Sequence, residues 1–460
     1  MAICAPGFDL ITYVDLQKKI ISVARCAKAA GLSPGQVVAL FPSHANLFNL
    51  VVMLGLARLG VITVSLGGGE LPKSLRFDAI VSDGPHPYRD IKTIPFNMSW
   101  VSGNGEPVEI DHISRDDDVC RIVLTSGSTG EPKPVALTHR MVLGRAQRYQ
   151  MLCGNRLPSC SRLFCGLPLA TSFAYTMCIL TLCKGGTVYL QGKNAKQTFD
   201  GLSFYGIDSL IIAPGGLPGL LTDYEEEQCH HTFDAILTSG SLLSGRLAER
   251  LSSRMASNVI LSYGATETSL VASAPGNAIR EIEGAAGYVV PGMTVEIVDE
   301  LDRPMPSGEM GTVRIRGEYM ANGYVNDVKA TAQIFRDGWF YPGDMGSLTT
   351  DGMLIIAGRQ ANVLNVGGLK FAAEKIEDAI AAFDAGVLAA AVVVTTDGGV
   401  DQLWVAIESA KPIDEGKLRQ HCQKLLAPFM LPKRFVGVDR LPRTQAGKLD
   451  RGQLRRVLKP

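Results

Sequence analysis

The chain has 460 residues, 46% hydrophobic and 20% charged, with Lys+Arg and Asp+Glu both at 45. That length allows two or more domains around a sizeable core, and the zero net charge speaks against a nucleic-acid-binding or polybasic membrane surface. Ten cysteines occur without a CxxC pair or metal-ligand spacing, which reads as scattered reduced thiols in a cytoplasmic protein.

The opening MAICAPGFDLITYVDL lacks a basic segment followed by an apolar one, so no signal peptide is expected. An amphipathic helix is predicted over 15–30, then a buried strand at Val37–Phe41. Residues 47–66 are apolar but broken by Asn49, Arg58 and Gly60; they read as helix, turn and strand rather than a membrane span. Further strands are predicted at 121–125, 162–167, 187–190, 209–213, 235–239 and 259–263, with helices over 139–153 and 244–255. Strands alternating with helices imply an α/β fold of parallel βαβ layers with right-handed crossovers. Ligands in such folds gather at the carboxyl ends of the strands. SGSTG, SGSLL and YGATE fall there, each directly after an apolar run.

From about Gly287 the texture changes. VEIVD, GTVRIRG, GWFYPGD and GMLIIAG are short β segments separated by turn signals, with Thr350-Asp351-Gly352 a hairpin candidate. They read as a small, barrel-like β subdomain over 287–357 that completes an N-terminal domain, 1–358. A compact α+β block, 359–460, follows. Its predicted elements are a helix over 373–383, strands at 387–395 and 402–408, a helix over 414–426 and a closing strand after Lys433. About 100 residues are enough for it to fold as its own unit.

The chemistry begins at IVLTSGSTGEPK, residues 122–133. Gly127 and Gly130 let successive backbone N–H groups turn inward as an anion nest. Thr125, Ser126, Ser128 and Thr129 add hydroxyls, and Lys133 adds a charge. The run is not G-x-x-x-x-G-K-[ST], which excludes a Walker loop, and no GxGxxG follows a strand. Four more stretches accompany it: LSYGATETS (261–269), GWFYPGDMG (338–346), GRQANVLNVGGLKFAAEKIED (358–378) and LPRTQAGKLDR (441–451). In this order and spacing the five resemble the adenylate-forming superfamily: acyl-CoA synthetases, peptide-synthetase adenylation domains and luciferases. The resemblance runs from about Val37 to the end.

The resemblance implies a two-step ligase. A carboxylate and Mg-ATP give an acyl-AMP and pyrophosphate, and the acyl group then passes to the thiol of CoA. It implies a mobile C-terminal domain carrying the catalytic lysine. Thr125 through Gly130 and Lys133 would hold the β- and γ-phosphates. Thr266 would donate to the α-phosphate, and Glu267 would bind Mg²⁺ with Thr125 as a second oxygen contact. Gly240, Ser241 and Leu242 would line the adenine slot, Tyr263 would stack on the base, and Gly264 completes that nucleotide-binding turn. Asp344 and Arg359 would take the ribose. Lys448 would bridge the carboxylate and α-phosphate as charge develops. Gly367 and Gly368 match the face that admits the pantetheine arm, although they also read as a tight turn. The acyl pocket would include Thr171, Phe173, Pro214 and Gly215, which are apolar or small and suit a neutral acid tail.

Three positions depart from the pattern. Ala361 stands where relatives carry a polar hinge residue, Pro134 where they carry Gly, and Thr171 where many carry a gating His. LATSFAYT (169–176) lacks the acid that pairs an α-ammonium group, which disfavours an amino-acid substrate. A short, medium or aryl acid is expected. Two other functions stay open: a stand-alone adenylation enzyme loading a carrier protein's phosphopantetheine, and a non-catalytic nucleotide-binding homologue.

Overall fold

The computed structural model describes residues 1–4, 10–41, 46–66, 71–102, 112–125, 132–153, 161–191, 194–241, 243, 245–280, 282, 284–359, 363–366, 369–383, 386–397, 400–409, 411–443 and 449–458. A six-stranded sheet runs edge to edge through Thr93–Pro95, Ala79–Ser82, Val37–Phe41, Ile62–Ser65, β1 (Val119–Thr125) and β2 (Lys133–Thr138). All neighbours are parallel except β1 and β2, which are antiparallel. The stretch 122–133 therefore joins two strands of a hairpin, and the helix α1 (His139–Cys153) starts only after β2. The sequence hid β2 because Pro134 sits inside it. Proline is tolerated there because β2 is an edge strand, where a missing N–H costs no ladder bond. The Pro134 carbonyl accepts from Val325 N at 2.9 Å.

The helix α2 (Ser172–Cys183) connects, in sequence, two strands of the parallel core of a larger sheet, Arg162–Cys165 and Thr187–Leu190. Thr187–Leu190, Arg162–Cys165, Ser209–Ile212, β3 (Phe233–Ser239) and β4 (Ala256–Ala265) lie side by side in that order, all parallel. Their near-continuous Val, Ile and Leu content suits strands covered on both faces. β5 (Ser269–Pro275) then returns antiparallel along β4. The β-rich stretch read from about Gly287 is hydrogen-bonded onto this same sheet. Ala285–Val289 pairs with β5 and with Met353–Arg359, which itself pairs with Asp344–Leu348; the last two are β7 and β6. Gly352, at φ +84°, closes the turn between β6 and β7, as the Thr-Asp-Gly signal predicted. One apolar cluster ties the two sheets together, with Val38, Leu56, Val123 and Leu137 meeting Met177, Leu237, Val271 and Leu354.

The C-terminal elements build a separate three-stranded sheet from Val387–Asp397, Val400–Ser409 and Arg434–Val438. Ile376, Leu403, Val405 and Leu418 belong to a core of its own. Among the described residues, no helix is long and apolar enough to cross a membrane.

Candidate active site

The parallel strands set the layout. Arg162–Cys165, Ser209–Ile212, β3 and β4 are adjacent, so their carboxyl ends are spaced by about 4.8 Å along one edge. In spatial order that edge presents Pro168 to Phe173, then Pro214 and Gly215, then Gly240 and Ser241, then Gly264 to Glu267. The acyl-pocket, adenine and α-phosphate candidates thus fall in a row. Gly240 adopts φ +104°, a left-handed backbone that favours glycine, and among the described residues beyond its chain neighbours no atom lies within 4 Å of where its Cβ would stand.

The turn at Thr266–Glu267 is the most constrained part of this edge. It is a hairpin connection, with Ala265 facing Ser269 across the β4–β5 ladder and a register shift at Tyr263/Gly264. Gly264 has no alternative, since a Cβ would overlap the Ser269 carbonyl. Ser269 holds φ +61°, a strained value for a non-glycine residue. The Thr268 hydroxyl accepts from Ala265 N at 3.1 Å and donates to the Ser269 carbonyl at 3.1 Å. Glu267 is 6% exposed, and its Oε1 accepts from the Tyr324 hydroxyl at 2.8 Å. Burial first, and the Glu267 charge second, raise the Tyr324 pKa and keep it a donor. A buried carboxylate held by a neutral hydroxyl fits Mg²⁺, which takes one or two carboxylates beside substrate phosphates. Among the described residues no cluster of three or more His, Cys, Asp or Glu could hold a metal by itself.

Asp344 and Arg359 are cross-strand partners on β6 and β7, which places their side chains on one face. Arg359 Nε lies 3.3 Å from Asp344 Oδ1. The Tyr263 hydroxyl donates to Asp344 Oδ2 at 2.6 Å. Desolvation, then the Asp344 charge, push the Tyr263 pKa well up, so it stays a donor. Asp344 is 5% exposed while the Arg359 side chain is 44% exposed. The carboxylate is buried and oriented; the guanidinium reaches outward.

The strap of residues 319–327 ties the phosphate hairpin to this turn. Ala321 N donates to the Glu267 carbonyl at 2.8 Å and Val325 N to the Pro134 carbonyl at 2.9 Å. Asp327 forms an ion pair with Lys133 at 2.9 Å. Lys133 was expected on the β- and γ-phosphates, yet its ammonium is held by Asp327 at the base of the hairpin, opposite Thr125 in the β1–β2 register. Ser126, Gly127, Ser128, Thr129, Gly130, Leu242, Gly367, Gly368, Lys448 and Ala361 lie outside the described residues.

At the acyl end, Thr171 caps α2: its hydroxyl accepts from Ala174 N at 3.3 Å and donates to the Pro168 carbonyl at 2.9 Å. The position read as a gate is occupied by a helix cap, and Thr-Ser ahead of an apolar run is a start signal visible in the sequence. The Phe173 ring packs 5.3 Å from Tyr149 against the core. Pro214 is buried and opens a short helical turn, while a Cβ on Gly215 would stand 2.5 Å from Arg443 Nη1. The polar C-terminal loop thereby reaches the Pro214–Gly216 turn.

Three buried arginines, Arg121, Arg145 and Arg148, were not anticipated. Arg121, on β1, donates to Ser65 Oγ at 2.9 Å and to the Leu169 carbonyl at 2.8 Å, and lies over the Tyr175 ring. It anchors the segment leading to Thr171. Arg145, on α1, is taken up below. Tyr324 and Thr268 were also missed. The partner of Tyr324 is set by a tertiary contact, with only the Tyr after a Gly in NGY as a local hint, whereas Thr268 bonds its own neighbours Ala265 and Ser269 in a turn that the sequence does not signal.

A row of parallel strand ends, a cross-strand Asp–Arg pair and a buried carboxylate on a hairpin turn are the groups that an adenylate-forming enzyme would use. The AMP-binding enzyme model matches residues 79–325, and the AMP-binding enzyme C-terminal domain matches 375–448. The chain belongs to the AMP-binding enzyme family. It is 28% identical to a feruloyl-CoA synthase of Amycolatopsis sp, covering 98% of this chain and 94% of that one. It is 26% identical to an indoleacetate–CoA ligase of Aromatoleum aromaticum, covering 99% and 95%. Its fold matches the o-succinylbenzoate coenzyme A synthetase of Bacillus subtilis in complex with ATP and magnesium ion. That match has a TM-score of 0.84 at 22% identity, covering 99% of this chain and 96% of that one.

Proposed function

We propose that this chain is an AMP-forming acid–CoA ligase acting on an aryl carboxylic acid. The observation that carries the reading is the row of parallel strand ends, along which the candidate acyl, adenine and α-phosphate residues follow one another. The aryl preference is supported by the relatives named feruloyl-CoA synthase and indoleacetate–CoA ligase, while the absence of an acid in residues 169–176 speaks against an α-amino acid.

In the first step a carboxylate oxygen attacks the α-phosphorus, and the bond to pyrophosphate breaks. Asp344 and Arg359 bind the ribose, Gly240 and Ser241 admit the adenine, and Thr266 donates to the α-phosphate. Glu267, with Thr125, would hold Mg²⁺, which would supply positive charge beside the phosphates. Lys448 places its charge where the carboxylate and phosphate oxygens meet. In the second step the CoA thiolate attacks the acyl carbonyl and AMP leaves. Lys448 has no role there, so the block 359–460 moves against 1–358 and brings Gly367 and Gly368 to the thiol arm. A panel of aryl and straight-chain acids, scored by pyrophosphate release, tests the substrate class. Cinnamate-like and arylacetic acids are expected to give the highest kcat/KM; a preference for straight-chain acids would overturn the aryl assignment.

A further inference from the structure

Arg145 is fully buried and forms no ion pair within 4 Å among the described residues. Burial pushes its pKa down to about 10, so it remains charged near neutrality. A buried charge without a carboxylate partner is costly unless its donors are satisfied. Here they go to neutral oxygens on three separate segments. Nη1 donates to the Thr266 carbonyl at 3.0 Å and to Ser172 Oγ at 3.3 Å. Nη2 donates to the Glu267 carbonyl at 3.0 Å, and Nε to the Tyr319 carbonyl at 2.9 Å. One turn along α1, Arg148 does the same for the carbonyls of Glu318 at 2.7 Å and Leu270 at 3.4 Å. Gly144 leaves the slot that the Tyr319 ring fills, and Tyr319 itself sits at φ +58°.

We propose that Arg145 is a positioning residue for adenylation, holding the Thr266–Glu267 turn by its two consecutive carbonyls so that the Thr266 hydroxyl and Glu267 carboxylate face the α-phosphate and its metal. The guanidinium grips both the turn and, through the Tyr319 carbonyl, the strap; the strap bonds the turn through Tyr324 and Ala321, and Ser172 links the assembly to the start of α2. Arg145 touches no substrate. It acts by fixing backbone, and its fork spans two adjacent carbonyls as a lysine cannot. The proposal rests on Glu267 as a metal ligand.

The test is a double-mutant cycle with Arg145→Lys and Glu267→Gln in the full-length protein. Arg145→Lys keeps the charge and loses the fork. It is expected to lower kcat for acid-dependent pyrophosphate release about 10- to 100-fold, the scale of a misplacement near 1 Å. It should also raise the magnesium concentration for half-maximal rate, with KM for the acid within about twofold. Because Arg145 acts through the turn, its defect should be smaller in the Glu267→Gln background than in wild type, the loss that persists being the share carried by Thr266. Thermal shift gives a second readout: Arg145→Lys should keep the stabilisation by AMP but lose the increment that Mg-ATP adds. Loss of both increments together, or single-variant defects that multiply, overturns the proposal. A Glu267→Gln protein with the wild-type magnesium response overturns the metal reading and the proposal with it.

Discussion

Replacing Asp344 with Asn tests the ribose grip at its centre. The carboxylate accepts from Tyr263 at 2.6 Å, sits 3.3 Å from Arg359 Nε and is 5% exposed. Two ribose hydroxyls would add two more charge-assisted bonds. Asn offers a single acceptor oxygen, and its amide donors face other donors. One charged hydrogen bond, worth about 1.5–3 kcal/mol, is then lost and a second is weakened by about 1 kcal/mol. The sum of about 2.5–4 kcal/mol corresponds to roughly 100- to 1,000-fold weaker AMP binding. Arg359 adds little to the apo protein, because its exposed guanidinium is screened by solvent. Calorimetric titration with AMP reads the loss directly. The same titration with 2′,3′-dideoxy-AMP should show wild type and variant binding equally weakly, since the hydroxyls that distinguish them are gone. An AMP dissociation constant within about threefold of wild type, or an equal penalty for the dideoxy analogue, would refute the ribose assignment.

Gly264→Ala places a methyl against the carbonyl of Ser269, a residue already strained at φ +61°. The overpacking costs about 1–3 kcal/mol or more, so the melting temperature should fall and adenylation should be lost; a wild-type melt and rate would show that the turn relaxes freely. Lys448→Ala should abolish acyl-AMP formation while leaving thioester formation from supplied acyl-AMP largely intact; equal loss of both steps would sink the two-conformation scheme.

What the sequence made legible was mostly strand ends. Val37–Phe41, Thr187–Leu190 and the helix at His139–Cys153 were read with their observed bounds, and the small residues after each strand pointed to the ligand edge. The two hairpins were missed for physical reasons. β2 contains a proline that only an edge position tolerates, and β5 begins at a Ser in a left-handed conformation that no local pattern signals. Arg145 sits in GRAQRYQ, which reads as the polar face of a helix. Its partners are backbone carbonyls, and carbonyls leave no letter in a sequence. Tyr324 reaches Glu267 across 57 positions of chain, a separation that periodicity cannot bridge. Thr171, which stands where many relatives carry a gating His, caps the helix that follows it, a role that its Thr-Ser start signal makes legible.

The central claim is that one site turns a carboxylic acid into an adenylate and hands the acyl group to CoA. The most direct measurement is the product balance of the best acid from the panel, incubated with Mg-ATP with and without CoA. The account predicts acyl-CoA, AMP and pyrophosphate in equal amounts when CoA is present, and slow pyrophosphate release with bound acyl-AMP when it is not. ADP and phosphate as products, or acyl-AMP that passes to a phosphopantetheinylated carrier protein but never to CoA, would contradict it.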